Sequence, residues 1–295
     1  MTIHDSLKDQ RPGAIGEPLK LPDVRDNLAT ARLGNRLHYF AEIDSTNVYA
    51  RQLARQGAAE GEIVIAEAQT RGRGRLDRTW ESPPLLNLYC SIILRPKLLP
   101  VNAPQLTLMA AVALTETIRI FIADEPPTIK WPNDVLVRGK KLAGILTESS
   151  CQADQIDYVI LGIGVNLNYP VLWMPETIRD TATSIVTVTQ KSVNRELFLR
   201  RLIQDLDRCY GELEDTGFAA LATRWEAAFG LRGKQVRVET SEGAWVGTAR
   251  GIDLDGALIV EDGEQKRRRI VAGDVVPAGD WNNTSEEHAS RDRYR

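Results

Sequence analysis

Hydrophobic and polar positions follow two different periods along the first 230 residues of the chain. Short segments that alternate or are wholly apolar are typical of β-strands, and longer segments with apolar residues three or four positions apart are typical of helices. Strand patterns occur at residues 37–43, 62–68, 87–94, 128–131, 134–138, 141–149 and 158–165. Helical patterns occur between residue 47 and Gly57, at 104–123, from Asn194 to Gly217, and around Trp225 and Phe229. The sequence therefore predicts an α+β domain.

The longest apolar stretch, from Leu106 to Ile122, belongs to the helical pattern that opens at Pro104. Apolar residues lie on most faces of this predicted helix, which indicates that it is buried. Three threonines, Glu116 and Arg119 interrupt the stretch, so we do not expect it to span a membrane.

The pattern changes after Gly230, where short strands alternate with glycine-containing turns. These strands are predicted at 235–239, 244–252, 257–261 and 266–271. Their spacing is typical of a small β-barrel of about fifty residues. We therefore predict a flexible N-terminal tail, a main domain, a small β-domain and a disordered C-terminal tail, at residues 1–36, 37–230, 231–280 and 281–295.

Composition and charge exclude several classes of protein. The chain has 295 residues and a net charge of −3, which argues against general affinity for nucleic acid. The three cysteines share no close spacing and the first twenty residues lack an apolar core segment, so we expect a cytoplasmic protein without a disulfide framework. Of three histidines, only His38 lies in the predicted folded region, which argues against a histidine-based triad or metal site.

One twelve-residue stretch, 69–80, carries four arginines, two glycines and a tryptophan between two predicted strands. Glycines let a backbone approach a ligand closely, and the arginine fork matches carboxylate and phosphate oxygens. This stretch, called the basic loop below, therefore suits a multiply anionic ligand. A solvated loop and an RNA-binding segment remain open on composition alone. Repulsion among the arginines predicts that residues 71–79 are mobile until an anion binds.

Further motifs occur in a fixed order around the basic loop. They are residues 44–47 (Asp-Ser-Thr-Asn), 130–134 (Lys-Trp-Pro-Asn-Asp), 141–146 (Lys-Leu-Ala-Gly-Ile-Leu), 162–166 (Gly-Ile-Gly-Val-Asn) and 250–253 (Arg-Gly-Ile-Asp). Together with the loop, this ordered set resembles the biotin protein ligases over about residues 38–277. The resemblance implies an α+β catalytic domain related to class II aminoacyl-tRNA synthetases, followed by an SH3-like β-barrel.

The resemblance also implies a reaction in two steps. Biotin's carboxylate attacks the α-phosphorus of ATP, and a carrier lysine then attacks the acyl carbon of biotinyl-5′-AMP. Biotin and ATP are thus implied as substrates, Mg²⁺ as a cofactor, and the biotin carboxyl carrier protein of acetyl-CoA carboxylase as the partner. No enzyme nucleophile is needed, so catalysis depends on positioning and on cations that offset the repulsion between two anions.

The site residues implied by the resemblance form two overlapping sets. The biotin-binding set is Ser45, Thr46, Asn47, Gln69, Gly72, Arg73, Gly74, Arg75, Lys141 and Gly144. The set that binds ATP or the adenylate is Arg73, Arg75, Arg78, Trp80, Asn133, Lys141, Asn166 and Arg250. Arg73, Arg75 and Lys141 are implied to be catalytic, and Asp134 is implied to bind Mg²⁺.

Other interpretations remain open for several of these residues. Ser45 and Asn47 also suit the N-cap of the helix that follows, and Trp80 also suits a hydrophobic core. Lys140 is expected to be solvated and Lys141 to face the site, because alternate strand residues face opposite sides.

The basic loop departs from the family pattern at Leu76 and Asp77, where the family usually has arginine and glycine. The change removes one positive charge and adds a negative one. The mobility of the loop and its grip on the adenylate are therefore the properties most open to change.

Three other functions compete with a monofunctional biotin ligase. A lipoyl ligase would share the catalytic fold but not a basic loop followed by a barrel. A DNA-binding repressor would need an N-terminal helix-turn-helix module, for which residues 1–36 are too few. An RNA-binding loop does not explain the ordered motifs. We therefore expect a ligase that binds neither DNA nor membranes, as a monomer or homodimer.

Overall fold

The computed structural model describes residues 16–26, 28–152, 154–241 and 243–279. Two sheets organise these residues, and both predicted β-rich regions are present. Among the described residues, no helix has the length and apolar character needed to cross a bilayer.

The main domain is built on a seven-stranded mixed sheet in the order β1-β2-β3-β7-β6-β5-β4. The first two strands run parallel and the other neighbours antiparallel. The strands are β1 (Arg36–Ile43), β2 (Glu62–Gln69), β3 (Leu88–Leu94), β4 (Thr128–Lys130), β5 (Asp134–Val137), β6 (Lys140–Gln152) and β7 (Gln155–Val165). All seven predicted strands are present, which confirms the α+β class.

Helices cover both faces of this sheet. They are α1 (Leu21–Arg25), α2 (Thr46–Arg55), α3 (Pro104–Phe121), α4 (Glu176–Arg179), α5 (Ile185–Thr189), α6 (Arg195–Thr216) and α7 (Ala219–Ala228). One face carries α2 over a small core that includes Ala50, Val64 and Ile160. The other face carries α3 and α6 over the main hydrophobic core.

The ends of α6 follow from local chemistry. Asn194 caps its first turn, because the side-chain oxygen of Asn194 accepts a 2.7 Å hydrogen bond from the backbone N–H of Leu197. Gly217 ends it with a positive φ of 82°, a conformation that glycine adopts without steric cost. Both boundaries were predicted from the sequence.

The C-terminal domain is a five-stranded antiparallel sheet in the order β11-β10-β9-β8-β12. Its strands are β8 (Gln235–Thr240), β9 (Gly243–Ile252), β10 (Leu258–Glu261), β11 (Arg267–Ile270) and β12 (Asp274–Pro277). This sheet agrees with the predicted SH3-like barrel. The last strand, β12, was not predicted. Its apolar pattern consists only of Val275 and Val276 between Asp274 and Pro277, which is too short to indicate a strand.

The prediction of a flexible tail through residue 36 is wrong for residues 16–26 and 28–35. This segment, called the strap below, contains α1 and buries Leu19, Val24 and Leu33. Only Leu21, Val24 and Leu28 are spaced as in a helix, and so short a pattern among polar residues did not show that the segment is buried. Residues 1–15 lie outside the described residues, as does the predicted C-terminal tail.

Candidate active site

Both domains line a single large cavity of about 890 Å³. That volume is in the range of pockets that bury a small molecule. The predicted site residues that line it are Ser45, Thr46, Asn47, Gln69, Arg73, Gly74, Arg75, Arg78, Trp80, Asn133, Asp134, Lys141, Gly144 and Asn166. Residues scattered over 122 positions of sequence, from 45 to 166, are thus brought to one place.

Two predicted residues do not line this cavity. Gly72 lies beside it: a Cβ at this position would approach the Trp80 backbone oxygen to 2.3 Å, so the chain requires glycine there. Arg250 forms an ion pair with Glu261 at 2.6 Å within the C-terminal sheet. The residues that this domain does contribute to the cavity wall are Leu231, Lys234, Asp274, Val276 and Pro277.

The buried polar end of the cavity is formed by the start of α2 and the end of β2. The Gln69 side-chain oxygen accepts hydrogen bonds from the Thr46 backbone N–H at 2.9 Å and from its hydroxyl at 3.1 Å. Ser45 occupies the N-cap position of α2, but its side chain makes no capping hydrogen bond. Capping alone therefore does not account for Ser45, and these polar groups suit a ligand with several hydrogen-bonding atoms.

Asn47 supports the wall of this polar end. Its amide nitrogen donates to the Leu146 carbonyl at 3.2 Å and to Glu148 at 2.8 Å, while its oxygen accepts from Ser91 at 2.6 Å. Both amide protons are therefore engaged with the protein. Direct contact between Asn47 and biotin stays a prediction, and the geometry gives Asn47 a structural role as well.

Glu148 is a functional candidate that the sequence analysis missed. Its carboxylate accepts hydrogen bonds from Asn47 and Arg51 and lies 3.2 Å from the guanidinium of Arg73. Burial alone would raise the pKa of Glu148, but the Asn47 hydrogen bond and the Arg51 guanidinium hold it below its ordinary value of 4.5. Glu148 lies outside every motif, and only folding of the chain brings it into contact with the basic loop.

Glu148 should make the stability of the folded protein depend on pH. Its folded-state pKa is lowered, so its stabilising contribution is present above the unfolded-state pKa and is lost as pH falls through the folded-state pKa. We expect Glu148→Gln to lower the melting temperature at about pH 7 and to have a much smaller effect at about pH 3. The exposed Glu264, changed to glutamine, is the control. An effect of Glu148→Gln that is equal at both pH values would contradict this account.

Lys141 enters the cavity from the β5–β6 hairpin. Its ammonium lies 2.7 Å from the Asp134 carboxylate and 5.3 Å from the centre of the Trp80 ring. Its backbone is fixed by hydrogen bonds with Thr181 and Thr183. Lys140 is exposed, as predicted. The hairpin therefore presents one cation to the cavity and the other to solvent.

Trp80 packs flat against two glycines of the sheet. A Cβ at Gly164 would come within 2.6 Å of the indole, and one at Gly144 within 3.0 Å. Gly144 and Gly164 thus make room for the ring. Among the described residues, the buried indole N–H of Trp80 has no hydrogen-bond partner. Trp80 is therefore a cavity wall with a free donor rather than a core tryptophan.

The basic loop bridges the two domains. The guanidinium of Arg75 donates to the Asn133 side chain at 3.2 Å and to the Gly273 carbonyl at 3.1 Å. Arg78 forms an ion pair with Asp274 at 2.7 Å. These contacts place the cationic loop over the cavity, with the missed strand β12 as its anchor.

Leu76 and Asp77 form the tip of this loop. Leu76 and Asp77 have φ values of 54° and 56°, in the left-handed region. Aspartate tolerates this conformation better than most residues, and leucine adopts it at a cost of roughly 1–2 kcal/mol. The loop tip therefore turns through two non-glycine residues in the left-handed region.

The ion pair between Arg78 and Asp274 should hold the loop closed. We expect Asp274→Ala to speed tryptic cleavage after the loop arginines by about two- to fivefold, because an exposed ion pair contributes up to about 1 kcal/mol. Asp262→Ala, which removes an ion pair with Arg268 on β11, is the matched control. Unchanged cleavage in Asp274→Ala would show that the loop is held by other contacts.

The residues present do not form a ready site for Mg²⁺. Within the described part of the chain, no three histidine, cysteine or acidic side chains are grouped so that they could hold a metal ion. The Asp134 carboxylate is engaged with Lys141. That Asp134 binds Mg²⁺ stays a prediction, and an ion here would need the phosphates of a nucleotide as further ligands.

Comparison with known proteins gives the class and then the family. Residues 39–166 match the Biotin/lipoate A/B protein ligase family, and residues 232–276 match the Biotin protein ligase C terminal domain. The chain is 36% identical over 267 residues to the bifunctional ligase/repressor BirA of Bacillus subtilis, covering 90% of this chain and 80% of that protein. It is also 36% identical over 267 residues to a biotin–acetyl-CoA-carboxylase ligase of Mycobacterium tuberculosis, covering 88% and 96%.

A solved structure gives the same result. The biotin protein ligase of Aquifex aeolicus in complex with biotin and ATP superposes with a TM-score of 0.72 at 30% identity, covering 82% of this chain and 98% of that one. The chain therefore belongs to the biotin protein ligase family. The family predicted from the ordered motifs is confirmed.

Proposed function

We propose that this protein activates biotin with ATP as biotinyl-5′-AMP and transfers the biotinyl group to one lysine of a biotin carboxyl carrier protein. The observation that supports this most strongly is the cavity in which Lys141, Arg73 and Arg75 face the polar pocket of Ser45, Thr46 and Gln69. The related ligases of Mycobacterium tuberculosis and Paracoccus denitrificans are named for acetyl-CoA carboxylase, so the carrier domain of that enzyme is the proposed partner.

In the first step, the biotin carboxylate attacks the α-phosphorus of ATP and pyrophosphate leaves. The two reacting groups are both anionic, so their approach is unfavourable until cations offset the repulsion. Lys141 and Arg75 are proposed to contact the carboxylate and the α-phosphate, and Arg73 to join them from the loop. An incoming anion would compete with Asp134 for the Lys141 ammonium, 2.7 Å away.

In the second step, the neutral amine of the carrier lysine attacks the acyl carbon, AMP leaves with the electron pair of the broken C–O bond, and the amine loses one proton as the amide forms. The mixed anhydride is labile to water, so the site must shield it until the carrier arrives. The basic loop, anchored to β12 through Arg78 and Asp274, is proposed as that shield. Trp80 is proposed to pack on the adenylate, and Asn133 and Asn166 to lie at its edge. Arg250 is proposed to contact ATP, which requires its side chain to move away from Glu261.

Lipoate is the alternative acyl substrate, because the matched family includes lipoate ligases. Biotin is favoured by the polar groups at the cavity end, since its cyclic urea has two donors and one acceptor. The dithiolane of lipoate has no such groups and would leave Gln69 and Thr46 without ligand contacts. Isothermal titration with each acid separates the two: we expect saturable binding of biotin only.

The transfer itself is tested with a carrier domain. Incubation with biotin, Mg-ATP and a biotin carboxyl carrier domain should add one biotinyl group to one carrier lysine, detected by intact mass and peptide mapping. The same domain with that lysine changed to arginine is the control. A carrier that gains no mass while the enzyme still forms the adenylate would restrict the function to activation of biotin.

We further propose a cytoplasmic, monofunctional ligase that does not act as a DNA-binding repressor. Two observations support this: the net charge of −3, and the packing of the strap against the catalytic domain, where its one helix, α1, has five residues. The protein is proposed to be a monomer or a homodimer. Sedimentation velocity with and without biotin and ATP distinguishes the two states.

A further inference from the structure

A buried ion pair lies behind the cavity, on elements that no motif marks. Arg195, the first residue of α6, donates to the Glu67 carboxylate of β2 at 2.7 Å, and the two side chains are only 6% and 2% exposed. Burying two charges is costly unless further hydrogen bonds satisfy their remaining atoms. The partners of this pair therefore indicate what it is for.

The strap supplies some of the further hydrogen bonds that this ion pair needs. The Glu67 carboxylate accepts a 2.6 Å hydrogen bond from the backbone N–H of Leu19 and a 2.9 Å hydrogen bond from the Tyr39 hydroxyl. The second arm of Arg195 donates to the Glu17 carbonyl at 2.6 Å. The strap is therefore bonded to both members of the pair.

Arg195 also reaches toward the cavity. The same arm that meets Glu67 donates to the backbone carbonyl of Asn87 at 3.1 Å. The Asn87 side chain, which is fully buried, accepts from the Leu167 backbone N–H at 2.9 Å and donates to the Asn166 oxygen at 3.4 Å. Asn166 lines the cavity, so Arg195 is two hydrogen-bonded steps from the site.

We propose that the pair of Arg195 and Glu67, completed by the strap, is a positioning device that fixes Asn87 and through it Asn166 at the adenylate end of the site. The expected effect on the KM for ATP rests on the proposed function, whereas the expected effect on the position of Asn87 does not. The strap then helps to position a residue of the site, although none of its described residues lines the cavity.

The kinetic test uses the full chain and biotin-dependent exchange between pyrophosphate and ATP. Arg195→Met leaves a buried unpaired carboxylate and is expected to lower stability as well as function. The double variant Glu67→Gln/Arg195→Met removes both charges and keeps an acceptor for Leu19 and Tyr39, so its melting temperature should lie well above that of Arg195→Met. We expect the KM for ATP of the double variant to be roughly tenfold higher than that of wild type. Its KM for biotin should stay within about twofold of the wild-type value.

The matched control loosens the strap elsewhere. Asp207 on α6 accepts hydrogen bonds from the backbone N–H groups of Ala31, Arg32 and Leu33, each at 2.8 Å, and has no bond to Asn87. Asp207→Ala should lower the melting temperature but leave the KM for ATP within about twofold. A wild-type KM for ATP in the double variant, or an equal rise in Asp207→Ala, would overturn the proposal.

A readout independent of catalysis separates this inference from the proposed function. In the ligand-free double variant, hydrogen–deuterium exchange of the backbone N–H of Leu167 should be faster than in wild type, because Asn87 no longer holds its position. Asp207→Ala should leave that exchange unchanged. Unaltered exchange at Leu167 in the double variant refutes the positioning role, whereas inactivity of the wild-type protein would refute only the ligase function.

Discussion

Replacing Lys141 with alanine should lower the rate of biotin adenylation by about tenfold or more while the fold survives. A hydrogen bond to a charged group contributes about 1.5–3 kcal/mol, and each 1.36 kcal/mol is a factor of ten in rate. The side chain is partly exposed and lies over the cavity rather than in the hydrophobic core. The measurement is the initial rate of pyrophosphate–ATP exchange at saturating biotin, with circular dichroism as the check on folding.

Lys140 provides the matched control for this prediction. It is the neighbouring residue on the same strand, carries the same charge and is exposed to solvent. Lys140→Ala should therefore keep the wild-type rate. If Lys141→Ala exchanges pyrophosphate as fast as wild type, Lys141 does not act on the reacting anions.

Replacing Arg75 with alanine should have a larger effect and lower the rate of adenylation by about a hundredfold or more. Arg75 is implied to contact the reacting phosphate, and it also holds Asn133 and the Gly273 carbonyl together across the two domains. Its removal would therefore cost two hydrogen bonds of a charged group, each worth about 1.5–3 kcal/mol. Single-turnover formation of biotinyl-5′-AMP is the direct measurement.

Two further variants identify what Arg75 contributes. Arg75→Lys keeps the charge but loses the planar fork, so we expect it to recover less than half of the lost free energy. Arg71→Ala removes an exposed arginine of the same loop that does not line the cavity, and it should be nearly neutral. Equal losses in Arg71→Ala and Arg75→Ala would mean that the loop acts only through its net charge.

Much of the fold could be predicted because its elements carry strong local signals. The alternating and apolar runs of β2 and β7 and the Asn194-to-Gly217 frame of α6 are decided within a few residues of sequence. The short strand β12 and the strap could not be predicted this way. Their order comes from tertiary partners: β12 pairs with β8, and the strap is bonded to side chains of β2 and α6.

The site shows the same division between local and distant causes. Residues in compact motifs, such as Lys141 and Trp80, lie at the cavity. Glu148, Asp274 and Arg195 were missed because each acts through a partner that is distant in sequence: Arg73, Arg78 and Glu67 respectively. An isolated charged residue gives no sign of such a partner until the chain is folded.

The central claim, activation of biotin by ATP, is tested most directly by pyrophosphate–ATP exchange in the absence of any carrier protein. The reaction needs only the enzyme, biotin, Mg-ATP and labelled pyrophosphate, and it reports adenylate formation alone. We predict exchange that depends on biotin, saturates with it and is not supported by lipoate. Folded, purified protein that shows no exchange above a control without biotin would contradict the claim.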